Sequence, residues 1–264
     1  MNVPTSDYPA PPVGTVMPAD AQQAALWIAG AVLAAFIIVA AWRAFKQRSA
    51  MPLLLLVAGF CTILLEPLVC HLGHAVHPAI GQIALFRAAD RSIPLHAALI
   101  YSFYFGAVYI FLLPRLVSGA ASRAFIWKAF FVICVLAYLI EVVPVGAGLW
   151  VYYDKQALWF WKGGMPLFWP FVNAACIIFP LALMKLLYAS LKGLRQLLVI
   201  PLSVMGANMA HFGAGVPFYN ATNSTASQGL VDLSGLASIA LAFLIVHISS
   251  IIAVPSAEAR AGAV

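Results

Sequence analysis

The chain has 264 residues, of which 64% are hydrophobic and only 8% are charged, and its mean hydropathy is +0.99. Soluble domains usually carry about a quarter charged residues, so this chain has too few charges to cover a water-facing surface. The composition excludes a soluble globular protein and predicts an integral membrane protein. The net charge of +6 suggests a nucleic-acid partner only if the basic residues cluster on one surface.

The first 23 residues differ in composition from the rest of the chain. They lack the basic start and the apolar centre of a signal peptide, so we predict a flexible tail over residues 1–23 and an uncleaved first helix. We predict a transmembrane domain over residues 24–254 and a short tail over 255–264. The first tail contains two acids and five prolines, which are Asp7, Asp20, Pro4, Pro9, Pro11, Pro12 and Pro18.

Seven apolar segments follow, and a helix needs roughly 20 apolar residues to cross about 30 Å of hydrocarbon. The connections between the segments are too short to fold as separate domains. Gly206, Gly213 and Gly215 weaken the sixth segment. The pattern predicts an all-α fold, a bundle of seven transmembrane helices at residues 24–45, 50–71, 94–116, 124–144, 167–190, 195–212 and 230–253.

The basic residues alternate between the two sides of this predicted bundle. Ten of the fourteen fall on the side that contains the C-terminal tail. Because cytoplasmic loops are enriched in Lys and Arg, we predict an outside N-terminus and a cytoplasmic C-terminus, in a bacterial inner membrane or the endoplasmic reticulum. The basic residues then act as orientation signals, which argues against nucleic-acid binding. The ten are Arg43, Lys46, Arg48, Arg115, Arg123, Lys128, Lys185, Lys192, Arg195 and Arg260, and the other four are Arg87, Arg91, Lys155 and Lys162.

Polar side chains within the predicted helices concentrate near their outer ends. Such groups are costly in a bilayer and usually face the bundle interior or a cavity. Their depth predicts an outer-leaflet cavity with two buried carboxylates, Glu66 and Glu141. The alternative is that these carboxylates only pair with Tyr or His as hydrogen bonds between helices. Other polar residues at similar depth are His96, Tyr101, Asn173, Asn208, His211 and Asp232.

The stretch LLEPLVCHLGHAVHP, residues 64–78, places His71, His74 and His77 after Glu66. The histidines fit a metal site, a proton relay or interfacial neighbours of Glu66. A metal site needs further ligands from other helices, so we predict neither a metal nor a cofactor. Apolar surroundings favour the neutral form of a carboxyl group, and we therefore predict that Glu66 is a proton donor. The cysteines have no CxxC spacing and are interpreted as small buried residues: Cys61, Cys70, Cys134 and Cys176.

Residues 149–175 are unusually aromatic. Tryptophan and tyrosine favour the membrane interface, so an aromatic belt is one interpretation. The other is a lid over the cavity, because aromatic faces stabilise cations and exclude water. The aromatic residues are Trp150, Tyr152, Tyr153, Trp159, Phe160, Trp161, Phe168, Trp169 and Phe171.

Three short motifs carry a resemblance to a known family. They are Glu66-Pro67 late in the second helix, Tyr152-Tyr153, and the segment GMPLFWPFVN at residues 164–173. In these residues the chain resembles the small seven-helix membrane terpene cyclases of fungal meroterpenoid and bacterial indole-sesquiterpenoid pathways. The resemblance covers roughly residues 66–185.

The resemblance implies protonation of an alkene or epoxide on a farnesyl-type chain, followed by metal-free cyclisation through carbocations. Acids in the second and last helices of the family match Glu66 and Asp232. Bacterial members often carry an acid a few positions after Glu-Pro, where this chain has Cys70. Glu141 therefore competes with Asp232 for the second acidic role.

We thus predict a hydrophobic prenylated small molecule as the substrate, membrane lipids as the surroundings, and Glu66, Glu141 and Asp232 as catalytic residues. A proton-coupled carrier or lipid-binding protein using the same carboxylates is the alternative. A rhodopsin is disfavoured because the last helix has no lysine. The predicted substrate-binding residues are His71, His96, Tyr101, Tyr104, Trp150, Tyr152, Tyr153, Trp159, Trp169, Asn173 and His211.

Overall fold

The computed structural model describes residues 9–161 and 164–255, so the predictions for residues 1–8, Lys162 and Arg260 lie outside the described residues. Within these described residues, seven helical segments are long and apolar enough to cross a membrane, as predicted. The first, third, fourth and last are α1 (Ala19–Gln47), α4 (Leu95–Val117), α5 (Arg123–Gly146) and α8 (Gln228–Ala253). The others are built from α2 (Met51–Cys61), α3 (Glu66–Leu72), α6 (Trp169–Leu187) and α7 (Val199–Thr222).

The sixth segment is longer than predicted, and the expected end at residue 212 is wrong. It runs over Gly193–Thr222 and contains all three glycines. A Cβ at Gly206 would lie 2.7 Å from Cβ of Pro180, so this glycine allows α7 to approach α6 closely. Small residues serve this purpose in membrane helix packing, so Gly206 has a packing role within the helix.

The first helix begins at Ala19, so the last five residues of the predicted tail are helical. Met17 is buried, and its backbone N–H donates to the carbonyl of Ile80 at 2.8 Å. The side chain of Gln22 donates to the carbonyl of Gly81 at 3.1 Å. These contacts with a later loop hold the start of α1 against the bundle.

The second segment is interrupted where the resemblance motif begins. A short 3-10 turn, Thr62–Leu65, separates α2 from α3, and Pro67 lies in the first turn of α3. Proline is tolerated there because the first N–H groups of a helix have no intrahelical partner. The hydroxyl of Thr62 donates to the carbonyl of Ala58 at 2.8 Å. The interruption makes Glu66 the first residue of a new helix.

Two small antiparallel pairs of strands cover one end of the bundle, which we name the cavity end. β1 (Ala75–Val76) pairs with β4 (Val151–Tyr152), with Ala75 opposite Tyr152. β2 (Ala84–Ala88) and β3 (Arg91–Pro94) form a hairpin. The β1–β4 pairing brings the loop after α3 against the predicted aromatic segment.

The alternation of helices separates the basic residues as the sequence predicts. Nine of the ten on the predicted cytoplasmic side lie at or near the end opposite the cavity end, and the tenth is not described. Arg87, Arg91 and Lys155 lie in the loops of the cavity end. Which end faces the cytoplasm is still a prediction from the positive-inside rule.

Candidate active-site cavity

A cavity of about 910 Å³, including its open mouth, lies at the cavity end between α3, α4, α5, α6, α7 and the β1 and β4 segments. Most of its wall is apolar, with Leu65, Val69, Ile100, Phe105 and Ile140 among the lining residues. A mostly apolar wall with a few placed polar groups is typical of small-molecule sites. Ten of the fourteen predicted site residues line it: Glu66, His96, Tyr101, Tyr104, Glu141, Trp150, Tyr152, Trp169, Asn173 and His211.

Glu66 is fully buried in the wall of this cavity, and three side chains contact its carboxyl group. Nε2 of His77 lies 3.2 Å from Oε1, and the Cys70 thiol donates to the same oxygen at 3.4 Å. The Tyr101 hydroxyl donates to Oε2 at 2.5 Å. These partners come from α3 itself, the loop after it, and α4, so three parts of the chain position one acid.

Glu141 is the second buried carboxyl group of the cavity. The hydroxyl of Tyr152 donates to Oε1, and Nδ2 of Asn173 donates to Oε2 at 3.1 Å. Burial raises the pKa of Tyr152 well above its ordinary value, and the charge of Glu141 raises it further. Tyr152 therefore keeps its proton and acts as a donor. Both carboxyl groups join different elements, so they also meet the alternative expectation of helix-to-helix hydrogen bonds.

A continuous row of aromatic rings runs along the cavity wall. Neighbouring ring centroids lie between 4.7 and 6.4 Å apart. Rings at these spacings stabilise one another, and all six residues line the cavity. In order along the wall the rings belong to His96, His77, Trp150, Tyr152, Trp169 and His211.

His211 closes the end of this row and is buried. Its Nδ1 lies 3.2 Å from Sγ of Cys176, and its Nε2 lies 2.6 Å from the hydroxyl of Tyr219. Tyr219 borders a second groove, which is also lined by His71. His211 thus connects the cavity to a neighbouring surface through one hydrogen bond.

Two predicted site residues, Asp232 and Trp159, lie outside the cavity, and their side chains form hydrogen bonds with loop residues instead. Oδ1 of Asp232 accepts hydrogen bonds from the backbone N–H of Leu158 at 2.8 Å and from the Gln228 side chain at 3.0 Å. The indole N–H of Trp159 donates to the carbonyl of Gly164 at 2.7 Å. Asp232 therefore attaches the predicted aromatic segment to α8 and does not line the cavity.

The other two predicted site residues that lie outside the cavity are Tyr153 and His71. Tyr153 stacks on His74, with ring centroids 5.3 Å apart, and accepts a hydrogen bond from Arg91 at 2.8 Å. His71 is exposed and lines the second groove, because α3 turns its side chain away from the cavity. Of the three spaced histidines, only His77 contacts Glu66.

Sequence reasoning missed two of the partners of the cavity residues, Cys70 and Cys176, which it treated as small apolar residues. Cys70 lies four positions after Glu66 in one helix, and that spacing places two side chains on one face. This four-residue spacing was the signal in the sequence that could have indicated the contact between Cys70 and Glu66. The contact between Cys176 and His211 joins α6 to α7, and no spacing in the sequence indicates it.

One group of side chains in the described part of the chain could hold a metal ion. Ligand atoms of Glu66, Cys70 and His77 all lie within 4.8 Å of one another, and all three residues are buried. Oxygen, thiolate and imidazole ligands suit zinc. In this structure the same atoms pair with one another as hydrogen bonds.

His74 belongs to a separate network over the cavity end. Its Nε2 lies 3.1 Å from Oδ1 of Asn223, and its Nδ1 lies 3.2 Å from Oδ2 of Asp154. Burial lowers the pKa of His74, although Asn223 and Asp154 act in the opposite direction. This network attaches the loop after α3 to the end of α7 and to the loop after β4.

Comparison of the chain with known protein families, with curated proteins and with solved structures found no match. Inference about function therefore rests on the cavity itself.

Proposed function

We propose that the chain is a membrane-bound cyclase that protonates an alkene or epoxide of a farnesyl-type chain and cyclises it through carbocations. The observation that supports this most directly is the cavity, in which two buried carboxyl groups and a row of six aromatic rings face one apolar space. An acid, a cation-stabilising wall and a dry interior are the three requirements of this chemistry.

Glu66 is the proton donor in this proposal. Protonating an alkene is difficult, so the acid must release its proton readily. Donors aimed at a carboxyl group stabilise the carboxylate left after transfer, and the thiol of Cys70 and the hydroxyl of Tyr101 are such donors. The alkene π electrons form the new C–H bond, and a tertiary cation results.

In this proposal the aromatic row stabilises the cation while the rings of the product close. Cation–π contacts are worth about 0.5–2 kcal/mol each, with the larger values at desolvated sites. The rings of Trp150 and Trp169 lie on either side of Tyr152 in this row. Glu141 places a second carboxyl group at the same wall, where its oxygen atoms face positive charge on the substrate. No step of this sequence requires a cofactor.

The membrane supplies the substrate in this proposal. A prenylated molecule partitions into lipid, and the cavity lies near one end of helices that are long enough to cross a bilayer. The basic residues cluster at the other end, so the positive-inside rule places the cavity in the outer half of the membrane. The protein is then a multi-pass protein of a bacterial inner membrane or of the endoplasmic reticulum.

The test is conversion of a farnesylated aromatic, or of its epoxide, by membranes that contain the chain. We expect a product of equal mass and different retention on chromatography. The Glu66→Gln variant should lose conversion while it is expressed and melts like the wild type. Unchanged conversion by Glu66→Gln would remove Glu66 from the mechanism.

A proton-coupled carrier or lipid-binding protein is the second candidate, because buried carboxyl groups within spans often mark proton relays. The buried carboxyl groups of the described spans, Glu66 and Glu141, both lie near the cavity end, whereas a permeation route needs polar groups across the full depth. Conversion in detergent separates the candidates, since transport needs two compartments and cyclisation does not. Absence of conversion for every prenyl substrate, with proton-dependent uptake into vesicles, would favour the carrier.

A further inference from the structure

The ring of His77 bridges a backbone carbonyl and the proposed proton donor. Its Nδ1 lies 3.1 Å from the carbonyl oxygen of Leu149, and its Nε2 lies 3.2 Å from Oε1 of Glu66. His77 is 3% exposed and lines the cavity. Trp150 packs against the ring with centroids 4.7 Å apart, which restricts its rotation.

The carbonyl of Leu149 determines which nitrogen of His77 carries a hydrogen. A carbonyl oxygen only accepts hydrogen bonds, so Nδ1 is the N–H of the ring. In a neutral ring Nε2 then has a lone pair and no hydrogen. The hydrogen between Nε2 and Oε1 must therefore be a further one, held either by Glu66 as a neutral acid or by His77 as an imidazolium.

The two residues consequently share one transferable proton. Without it, the Nε2 lone pair and the carboxylate would face each other at 3.2 Å in a buried site, which is unfavourable. With it, the pair has no net charge in either arrangement. The thiol of Cys70 and the hydroxyl of Tyr101 supply donors to Glu66 that remain in place when the proton leaves.

Glu141 has no comparable partner. Tyr152 holds its own proton, because burial raises its pKa, and the amide of Asn173 does not titrate. Among the described residues, one other histidine pairs with a carboxylate, His74 with Asp154, and neither of these lines the cavity. Among the described residues, the Glu66–His77 pair is therefore the one histidine–carboxylate pair that lines this cavity.

We infer that Glu66 and His77 act as one unit that donates the proton that starts cyclisation and takes back the proton that ends it. This rests on the proposed function. In the first step the shared proton moves to an alkene carbon, or to an epoxide oxygen, and the pair becomes a carboxylate beside a neutral imidazole. In the last step a C–H bond next to the final cation breaks. Its electrons form a C=C bond, and the proton returns to the pair.

The unit makes the reaction self-contained, because the proton lost by one substrate molecule restores the pair for the next. A substrate deuterated at the carbon that loses its hydrogen tests this directly. In ordinary water, over many turnovers, we expect deuterium at the newly protonated position of part of the product. Conversion that continues without any transferred deuterium would overturn the inference and leave the proposed function standing.

Two variants test whether His77 has more than a structural role. His77→Gln keeps a donor for Glu66 but cannot carry the extra proton, and His77→Asn keeps a donor for the Leu149 carbonyl. We expect both to lower conversion about 100-fold, within the range for a general acid–base group, whereas the loss of one buried hydrogen bond should lower the melting temperature only modestly. His247→Gln, at an exposed position on α8 near the opposite end, is the matched control. Conversion by His77→Gln at the wild-type rate would show that the ring only fills space.

A third measurement does not depend on turnover. The ¹⁵N resonances of His77, assigned by comparison of labelled wild type with His77→Gln, should show a protonated Nδ1. A ring protonated only at Nε2 would overturn the inference. If no prenyl substrate is converted but Nδ1 is protonated as expected, the failure lies with the proposed function and the shared proton stands.

Discussion

The two carboxyl groups of the cavity have the same chemistry and similar burial, yet their surroundings differ. Glu66 is contacted by a thiol, an imidazole and a phenol, from Cys70, His77 and Tyr101. Glu141 is contacted by a phenol and an amide, from Tyr152 and Asn173. The difference that matters is the imidazole, because its Nδ1 faces the Leu149 carbonyl and its Nε2 faces Glu66, so one further hydrogen lies between the two side chains.

The comparison shows that depth in the membrane does not assign a role to an acid. Both residues lie near one end of their helices and both face the same space. Their partners distinguish an acid that faces an imidazole from an acid whose partners are a phenol and an amide.

The largest expected effect comes from replacing each acid by its amide. Glu66→Gln should lower conversion by about 10²–10⁴-fold, the usual contribution of a general acid. Glu141→Gln should lower it by about tenfold, because the amide retains hydrogen bonds to Tyr152 and Asn173 but replaces one of the two oxygens that face the cation. Product formation per mole of purified protein, measured by mass spectrometry, gives both numbers. The reverse order of effects would exchange the roles of the two acids.

Removing the phenol partner of each acid should separate catalysis from stability. Tyr101→Phe withdraws a donor from Glu66 and should slow conversion by about 10- to 100-fold, since hydrogen bonds to charged groups are worth about 1.5–3 kcal/mol. Tyr152→Phe leaves Glu141 under-paired and should mainly lower the free energy of unfolding, by about 1–3 kcal/mol. Conversion rates and thermal unfolding in detergent should be measured on the same preparations. Equal effects of the two variants on conversion would contradict the distinction.

The thiol of Cys70 should have a smaller effect. Thiols are weak donors, so Cys70→Ala is expected to lower conversion by less than about tenfold. Cys134→Ala removes a similar buried thiol from α5 outside the cavity and serves as the control. A loss of conversion in Cys134→Ala as large as that in Cys70→Ala would indicate general loosening of the bundle.

The smallest expected effect concerns the histidine–carboxylate pair outside the cavity. Burial lowers the pKa of His74 in the folded chain, whereas an unfolded histidine titrates near about 6.5. The unfolded chain therefore binds more protons at acid pH, and stability is retained above about pH 6.5 and lost as the pH falls below it. We expect the melting temperature to fall between pH 7 and pH 5, and to fall less in His74→Gln.

His71→Gln is the control for this measurement, because its side chain is exposed and the variant should keep the wild-type pH dependence. A pH dependence that is unchanged in His74→Gln would show that His74 does not contribute to it. Conversion at neutral pH should be the same in His71→Gln and wild type, since His71 lies outside the cavity.

The sequence alone was sufficient for the membrane class, the seven helical segments and the end of the bundle at which the polar residues lie. These properties depend on composition and on the length of apolar runs, because lipid selects for continuous apolar helices whatever their neighbours are. Glu66 and Glu141 could be selected as a pair for the same reason, since any acid within such a run is exceptional.

Only the tertiary structure decided which groups contact each acid. The β1–β4 pairing brings His77 beside Trp150 and the Leu149 carbonyl. Asp232 accepts a hydrogen bond from the backbone N–H of Leu158 and lies outside the cavity. The extent of the sixth helix depended likewise on how Gly206 packs against Pro180. Such contacts join residues far apart in the chain, and short-range patterns in a sequence carry information only about neighbours along it.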